Sequence, residues 1–395
     1  MRPEDPIVIV GAARTPMGGF QGDLKDCTAP ELGAAAIRAA LERSGISPDA
    51  VEEAVFGCVL PAGQGQAPAR QAAIGAGLPF ATGATTVNKM CGSGMKAAML
   101  AHDLIAAGSA SIAVAGGMES MTNAPYLLDR ARGGYRLGHA RVIDHMFLDG
   151  LEDAYDKGRL MGTFAEDCAE AYQFTRAAQD EYAITSLTRA RKAIEEGAFD
   201  AEIVPVTVKA ARAELVVSRD EQPGKAKPEK IPTLKPAFRE NGTVTAANAS
   251  SISDGAAALV LMRRSKAERE GIAPLATIIG HSTHSQAPNL FATAPIGALR
   301  KLAERTGWNL RDVDLFEINE AFAVVAMAAM RDLDLPHEKV NVHGGACALG
   351  HPIGASGARV LVTLLSTLKR HGMKRGMATL CIGGGEATAM AVELN

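Results

Sequence analysis

Cys91 is the residue whose surroundings point most directly to chemistry. It lies in the segment Asn88-Lys-Met-Cys-Gly-Ser-Gly94, directly before an alanine-rich run that extends to Ala107 and is predicted to be a helix. A thiol at the turn into a helix faces unpaired N–H groups and the positive end of the helix dipole, and both are expected to lower its pKa. The glycines beside it leave room for an acyl group to approach the backbone. The pattern favours a nucleophilic cysteine over an inert buried one.

Three further reactive or hydrogen-bonding side chains stand next to turns. His351 lies between a glycine and a proline in Leu349-Gly-His-Pro-Ile-Gly-Ala-Ser-Gly357, a rigid turn that suits a general base, although a lone histidine is more often structural. Cys381 ends a short apolar strand that opens into a run of three glycines, whose N–H groups can hold an oxyanion. Asn319 also follows a strand-like stretch. Because sites in open α/β sheets lie where strands end, we expect these candidates to share one site with Cys91.

Several motifs resemble metal-binding or cofactor-binding sites but lack a feature that such sites require. The sequence therefore predicts no metal and no cofactor. His343, Cys347 and His351 have the spacing of a metal-binding helix face, but the glycines and the proline among them make a helix there improbable. The glycine run that begins at Gly383 lacks the Lys-Ser/Thr pair of a phosphate-binding loop. The segment from Gly11 to Gly19 does not match a dinucleotide-binding fingerprint.

Composition excludes other classes of protein. The chain has 395 residues and a formal net charge of −3, whereas proteins that bind nucleic acid usually carry a strongly basic face. The longest apolar run, Ala256 to Met262, is far shorter than the roughly 20 residues of a membrane helix. The charged amino terminus lacks the apolar stretch of a secretory signal, and six scattered cysteines form no disulfide framework. We therefore expect a cytoplasmic protein that binds neither nucleic acid nor membrane.

The chain contains a duplication. Four pairs of short segments match in the same order, offset by about 262 to 269 residues. They are Ile7-Val-Ile-Val-Gly11 with Thr277-Ile-Ile-Gly280, Leu41-Glu-Arg-Ser-Gly45 with Ala303-Glu-Arg-Thr-Gly307, Gly92-Ser-Gly94 with Ala355-Ser-Gly357, and Ala115-Gly-Gly117 with Ile382-Gly-Gly384. Each copy alternates short apolar runs with longer helical stretches, which predicts two similar α/β units.

An insertion without a counterpart separates the two copies. We predict an N-terminal half formed by residues 1–120 plus 249–270, a loop domain of residues 121–248 and a C-terminal half of residues 271–395. The best helix of the loop domain follows Thr175 and ends before Gly197.

A stretch rich in proline and lysine follows, from Arg219 to Arg239, and is not expected to form regular helix. It carries Lys225, Lys227, Lys230 and Lys235. Two interpretations stay open for it, a solvated surface loop and a binding strip for the phosphates of a nucleotide-like ligand.

Taken together, the motifs resemble those of the thiolases over essentially the whole chain. They are Cys-Gly-Ser-Gly at 91–94, Gly-Gly-Met-Glu-Ser-Met at 116–121, Gly-Thr-Val-Thr-Ala at 242–246, Asn-Ala-Ser at 248–250, Asn-Glu-Ala-Phe at 319–322, Gly-His-Pro-Ile-Gly-Ala-Ser-Gly at 350–357 and Cys-Ile-Gly-Gly-Gly at 381–385. The resemblance implies a duplicated thiolase fold, a five-layered αβαβα core with an inserted loop domain over the active site. It also implies assembly into dimers or, commonly, tetramers, and we expect a homotetramer.

The resemblance implies a role for each catalytic candidate. Cys91 takes the acyl group from a first thioester, and His351 accepts the proton of its thiol. Cys381 removes a proton from the α-carbon of a second acetyl-CoA, so that the carbanion attacks the acyl-enzyme. One oxyanion hole consists of His351 and a water held by Asn319, and the other of the backbone N–H groups of Cys91 and Gly383. Coenzyme A thioesters are substrates in this scheme, and no cofactor is needed.

Seven further positions are implied to face the substrate. Ser250 resembles the serine that meets the pantetheine chain, and Phe322 borders the acyl pocket. The other positions are Leu151, Met161, Phe238, Ala246 and Ala247.

Three departures from the family pattern bear on specificity. Leu160 stands where short-chain thiolases usually carry a histidine, and Glu386-Ala387 follows the glycine run where a further glycine is usual. The arginine that often stacks on the adenine has no clear match around residues 220–225.

The amino-acid sequence of the motif around His351 favours the acetyl-CoA acetyltransferase branch of the family. The expected reaction is the reversible condensation of two acetyl-CoA molecules to acetoacetyl-CoA and coenzyme A. The main alternative is a 3-ketoacyl-CoA thiolase that accepts a broader range of chain lengths. More distant alternatives are a ketoacyl synthase, which uses histidines where this chain has Cys381, and a non-enzymatic lipid-binding relative, which is expected to lack the catalytic residues.

Overall fold

The computed structural model of the chain describes residues 4–210 and 213–395. Residues 1–3, part of the charged amino-terminal segment, and residues 211–212 lie outside the described residues. The strands of the described part are β1 Ile7–Arg14, β2 Gly18–Gly19, β3 Glu53–Gly57, β4 Gly83–Val87, β5 Ile112–Ser120, β6 Tyr126–Leu127, β7 Ile143–Asp144, β8 Val206–Ala210, β9 Ala213–Val217, β10 Ser253–Arg263, β11 Ala276–Ser285, β12 Leu315–Ile318, β13 Arg375–Ile382 and β14 Glu386–Leu394. Its α-helices are α1 Ala29–Ser44, α2 Pro68–Gly75, α3 Ser93–Ala106, α4 Met161–Ala171, α5 Arg176–Glu195, α6 Glu221–Lys225, α7 Arg264–Arg269, α8 Ala294–Thr306, α9 Ala323–Leu333, α10 Ala346–Leu349 and α11 Ser356–His371.

The strands of the two halves form one continuous hydrogen-bonded path in the order β12-β13-β14-β11-β1-β10-β5-β3-β4, with β2 beside β10. The halves join between β1 and β11, where two residue pairs, Val8 with Thr277 and Ile9 with Ala276, hold the strands together. Strands β3, β4 and β5 run parallel, as do β12 and β13, and the other neighbours in the path are antiparallel. The short contact between β1 and β11 divides the path into an N-terminal and a C-terminal group of strands.

Helices cover both groups of strands and fill the space between them. Helices α1 and α2 pack on one face of the N-terminal group, and α8 packs on β11, β13 and β14 of the C-terminal group with α9 against it. Helices α3 and α11 contact strands of both groups, and most of their residues are buried. A helix placed between two sheets is apolar around most of its circumference, which explains the alanine-rich and leucine-rich sequences of this pair. The predicted five-layered αβαβα core is confirmed.

The duplication is visible in matching irregularities of the two halves. Strand β1 has a register shift between Ile9 and Gly11, and β11 has one between Ile278 and Gly280. Helices α1 and α8 both end at a glycine in the left-handed conformation, Gly45 at φ 72° and Gly307 at φ 68°. Such a conformation suits glycine because it has no Cβ. Segments that match in sequence therefore occupy equivalent places in the fold.

The inserted segment contains α4 to α6 and two short hairpins, β6–β7 and β8–β9. Helix α5 begins after Thr175, whose side chain accepts the Ala178 N–H, and it ends before Gly197 as predicted. The expectation of no regular helix between residues 219 and 239 is wrong for α6, which contains Pro223. Proline is tolerated there because the N–H groups of a first helical turn have no partner within the helix.

None of the helices in the described part of the chain combines the length and the apolar character that crossing a membrane requires.

Candidate active site

A cavity of about 350 Å³ lies where the inserted segment meets the ends of the core strands. Its polar end is formed by Cys91 after β4, by Gly383 after β13 and by His351 in the turn between α10 and α11. The remaining wall is mainly apolar and contains Phe147, Leu151, Leu160, Met161, Phe238, Phe291 and Phe322. A mainly apolar pocket with a few convergent polar groups is the usual form of a small-molecule site.

The backbone around Cys91 is held in a sharp turn. Met90 has a positive φ of 47°, a conformation that costs a residue with a side chain about 1–3 kcal/mol. The Ser93 hydroxyl accepts the Lys89 N–H at 2.8 Å and donates to the Met90 carbonyl at 2.6 Å. These bonds fix the thiol just before α3, which begins at Ser93.

The surroundings of the Cys91 thiol overturn the expectation of a lowered pKa. Burial raises its pKa to about 11, and the backbone N–H groups of Gly383 and of Cys91 itself act in the opposite direction without compensating. Here the loss of hydration destabilises the thiolate more than hydrogen bonds from the two N–H groups stabilise it. The thiol is therefore protonated at neutral pH and requires a base.

His351 is a buried, neutral imidazole. Burial and the nearby charge of Arg359 lower its pKa to about 3. Its Nδ1 lies 2.6 Å from the Ser356 hydroxyl, which donates its only proton to the Pro352 carbonyl at 2.9 Å. The hydroxyl must then accept a hydrogen bond from Nδ1–H, so Nε2 carries the lone pair. His351 is thus prepared to accept a proton at Nε2.

Asn319 joins His351 through a buried chain of polar groups. Its amide nitrogen lies 3.5 Å from both nitrogens of the His351 ring, and its carbonyl oxygen accepts from Arg359 at 3.3 Å. Arg359 also lies 3.5 Å from the carboxylate of Glu317, and all of these side chains are buried. The arginine fixes which end of the Asn319 amide faces the histidine.

Cys381 lies behind the cavity wall in β13 and is fully buried. Burial, together with the neighbouring Cys91, raises its pKa well above the ordinary value. Two thiolates side by side repel each other, so the pair is arranged to ionise one at a time. The backbone N–H of Gly383, two residues further on, faces the Cys91 thiol.

Glu119 also belongs to this site, although the sequence did not predict it. Its buried carboxylate accepts the N–H groups of Val59 at 2.9 Å, Leu60 at 3.1 Å and Gly354 at 2.8 Å, and burial raises its pKa to about 7. Gly354 belongs to the His351 turn, so Glu119 ties that turn to the N-terminal half. An acidic residue in an otherwise apolar strand, Ile112–Ser120, was the available signal. Arg359 and Ser356 were missed in the same way.

Six of the seven positions predicted to face the substrate line the cavity: Leu151, Met161, Phe238, Ala246, Ser250 and Phe322. Ala247 does not, because it packs against the cluster of Leu187, Ala190 and Leu349 instead. The Ser250 hydroxyl donates to the Ala321 carbonyl at 3.0 Å. Lining residues that were not predicted include Met90, Phe147, Ile252, Phe291 and Ile353.

Two other features lie away from this cavity. Lys225 of the proline- and lysine-rich stretch pairs with Glu221 and lies 3.7 Å from Asp23, and none of the four lysines lines the cavity. A larger cavity of about 600 Å³ is lined by Arg43, Glu202 and Lys369 among others, but by no cysteine or histidine. Of the candidate groups for acyl chemistry, Cys91, His351 and Gly383 therefore line the smaller cavity.

Comparison with known proteins agrees with this geometry. Residues 7–265 match the family described as thiolase, N-terminal domain, and residues 272–394 match thiolase, C-terminal domain. The chain is 52% identical over 398 residues to acetyl-CoA acetyltransferase 2 of Arabidopsis thaliana, covering 100% of this chain and 98% of the relative. The crystal structure of the Bacillus anthracis acetyl-CoA acetyltransferase superposes with a TM-score of 0.97 at 43% identity, with 100% of both chains covered. A thiolase from Ascaris suum in complex with coenzyme A superposes at 0.94 with 40% identity, covering 99% of this chain and 100% of that one. The chain belongs to the thiolase family.

Proposed function

We propose that the chain is an acetyl-CoA C-acetyltransferase, an acyltransferase that reversibly condenses two acetyl-CoA molecules to acetoacetyl-CoA and coenzyme A. The observation that carries the proposal is that Cys91, His351 and the Gly383 N–H lie at one end of an apolar cavity, with Cys381 buried beside Cys91 and Asn319 buried beside His351. The names of the relatives from Arabidopsis thaliana and Bacillus anthracis support the substrate. The complex of the Ascaris suum thiolase supports coenzyme A as a ligand.

In the first half-reaction, the sulfur of Cys91 attacks the thioester carbonyl of acetyl-CoA while His351 Nε2 takes the proton of the thiol. The N–H groups of Cys91 and Gly383 stabilise the oxyanion, and such donors are worth about 2.7–4 kcal/mol each. When the bond to coenzyme A breaks, the departing thiolate takes the proton of Cys381. The imidazolium of His351 and the Cys381 thiolate then balance each other, which a buried site favours over one isolated charge.

In the second half-reaction, the Cys381 thiolate removes a proton from the α-carbon of a second acetyl-CoA. The enolate oxygen is stabilised by the His351 N–H and by a water held by Asn319. The carbanion attacks the acetyl group on Cys91, the new carbon–carbon bond forms, and the bond to Cys91 sulfur breaks. Cys91 recovers its proton from His351, so every proton is accounted for and no cofactor is used.

Six lining residues are proposed to position the substrate. Ser250 meets the pantetheine chain and Phe322 borders the acyl group, with Leu151, Met161, Phe238 and Ala246 along the same groove. Ala247 is proposed only as a support for its neighbour Ala246, since it packs away from the cavity.

Leu160 supports a second candidate function. It places an apolar side chain in the cavity wall, where an imidazole is usual in the short-chain branch, and an apolar wall suits a longer acyl chain. The second candidate is therefore a 3-ketoacyl-CoA thiolase of broader chain length. It uses the same catalytic groups.

The test is thiolysis of 3-ketoacyl-CoA substrates of increasing chain length in the presence of coenzyme A. We expect acetoacetyl-CoA to lose its enolate absorbance, with the highest kcat/KM of the series. Higher kcat/KM values for longer chains favour the second candidate. No cleavage of any chain length rejects both.

We also infer a cytoplasmic homotetramer that acts in fatty acid metabolism. Light scattering of the purified protein measures the mass of the assembly. A mass that corresponds to a dimer contradicts the homotetramer.

A further inference from the structure

A cluster of His102, Asp103 and His281 lies outside the site described above. His102 and Asp103 are adjacent in α3, and His281 lies in β11. Asp103 Oδ1 lies 2.9 Å from His102 Nδ1 and 3.0 Å from His281 Nε2. Among the described residues, this His–Asp–His cluster is the one group of three potential ligand atoms that lie within 4.8 Å of one another.

The three atoms are of the types that zinc and similar ions select. Imidazole nitrogen suits Zn²⁺, Ni²⁺ and Co²⁺, and a carboxylate oxygen completes many such sites. Ligands about 2.0–2.2 Å from a tetrahedral Zn²⁺ lie roughly 3.3–3.6 Å apart. The two O–N distances are shorter than this by a few tenths of an ångström. Small side-chain rotations therefore suffice to admit an ion.

The cluster is partly open to solvent. The His102 and His281 side chains are 19% and 16% exposed, whereas that of Asp103 is 53% exposed. An ion there has room for a water ligand, and it has an entry path. Burial lowers the pKa of His281, and the charges of His102 and Lys96 act in the same direction, so Lys96 is an influence that opposes a cation there. Without an ion, the two histidines can share the carboxylate as hydrogen-bond donors.

The cluster connects the two halves of the duplicated fold. Helix α3 belongs to the N-terminal half, and β11 begins the C-terminal half, so an ion bound by all three residues links them. His102 stands nine residues after Ser93, and a helix rises about 1.5 Å per residue, so the cluster is about 14 Å along α3 from its start. This separates it from the thiols of the catalytic cavity.

We propose that His102, Asp103 and His281 bind one divalent transition-metal ion of the zinc type, which stabilises the junction between the two halves. The ion has no part in the acyl chemistry, and the proposal does not depend on the proposed function. An ion that binds the folded protein but not the unfolded chain raises the stability of the fold.

The experiment measures Zn²⁺ binding and thermal unfolding of the full chain after treatment with a chelator. Because cysteine thiols are Zn²⁺ ligands in general, both measurements are made in a Cys91→Ser, Cys381→Ser background. Within it, Asp103→Asn and His281→Gln are compared with His371→Gln. The last variant disrupts the other close imidazole pair, in which His343 Nε2 lies 3.2 Å from His371 Nε2. Co²⁺ serves as a second probe, since its visible spectrum reports the ligands.

We expect one Zn²⁺ per chain in the background protein and in His371→Gln, with a melting temperature a few degrees higher than without the ion. Asp103→Asn and His281→Gln are expected to lose this ion and the temperature shift. Asp103 is exposed enough for its variant to fold, and melting without added metal verifies this. The absence of a bound ion in the background protein overturns the proposal, because the cluster is then a hydrogen-bonded triad only. Equal binding in all variants overturns it as well.

Discussion

The ammonium of Lys89 lies 2.6 Å from a carboxylate oxygen of Glu386. Lys89 precedes Cys91 in the nucleophile turn, and Glu386 follows the glycine run that contains Gly383. The Ser285 hydroxyl donates to the other Glu386 oxygen at 2.9 Å. The ion pair thus ties together the two turns whose N–H groups face the Cys91 thiol. Glu386 is also one of the positions at which the sequence departs from the family pattern.

Glu386→Ala is expected to lower kcat because the two turns lose their connection. Loss of a whole oxyanion donor costs about 10²–10³-fold, so partial misalignment is expected to cost about 10-fold. The pair is partly exposed, so the free energy of unfolding is expected to change by only about 0.2–1 kcal/mol. Steady-state kinetics and urea unfolding measure the two effects.

The matched control for this prediction is Lys266→Ala, which breaks an ion pair of 2.7 Å with Glu270 away from the cavity. It is expected to change stability by a similar amount and to leave kcat as it is. Equal kcat values in both variants and the wild type would show that the Lys89–Glu386 pair does not position the oxyanion hole.

His343 is expected to make the fold less stable in acid. Burial lowers its pKa to about 4. Its Nδ1 lies 3.2 Å from Thr367 Oγ1, and its Nε2 lies 3.2 Å from His371 Nε2. Between about pH 6.5 and 4, the unfolded chain binds a proton at this histidine that the folded chain does not. His343→Gln removes that difference.

The wild type should therefore lose stability relative to His343→Gln by about 1.4 kcal/mol per pH unit over this range. Urea unfolding of both proteins from pH 7.5 down to 4.5 measures the difference, with pH 7.5 as the reference. Parallel profiles for the two proteins would contradict the lowered pKa.

The candidate catalytic residues could be chosen from the sequence because their signals are local. Cys91, His351 and Cys381 each stand beside glycines at the end of a strand or in a fixed turn, so the adjacent residues carry that pattern. The duplication can also be predicted from the sequence. In the structure, both halves repeat the same helix ends and strand irregularities. The αβαβα arrangement itself comes from the resemblance to the thiolases, since periodicity alone predicts only two α/β units.

Interactions over long sequence separations are not readable in this way. Glu119 and Gly354 are 235 residues apart, and Arg359 and Asn319 are 40 residues apart. The raised pKa of Cys91 depends on how deeply the folded chain encloses the thiol, which the helix start does not reveal. Ala247 differs from Ala246 because one side chain points into the cavity and the next packs on Leu349.

Gly162→Ala is expected to disturb substrate binding more than chemistry. A Cβ at this position would lie 2.4 Å from the ring of Phe238, so the ring must move within the cavity wall. We expect KM for the acyl thioester to rise about tenfold with a smaller fall in kcat, the pattern of lost uniform binding. Gly133→Ala is the matched control, because its Cβ meets no atom within 4 Å. A raised KM in both variants, or in neither, would argue against this role of Phe238.

Cys381→Ala is expected to separate the two half-reactions. The nucleophile and its base remain, so Cys91 still accepts an acetyl group from acetyl-CoA, although more slowly because the departing thiolate loses its proton donor. Loss of the α-proton acceptor should reduce thiolysis by at least about 10²–10⁴-fold. Exchange of label from the α-carbon of acetyl-CoA into solvent should fall with it. Near-normal exchange together with an unacetylated Cys91 would mean that the roles of the two cysteines are reversed.

Mass spectrometry of the protein mixed with acetyl-CoA tests the covalent acetyl-Cys91 intermediate. The wild type and Cys381→Ala should gain one acetyl group on the peptide that contains Cys91, and free coenzyme A should remove it. Cys91→Ala should gain none, because no other thiol among the described residues lines the cavity. Acetylation of Cys91→Ala to the same extent as the wild type would show that Cys91 is not the residue that takes the acetyl group.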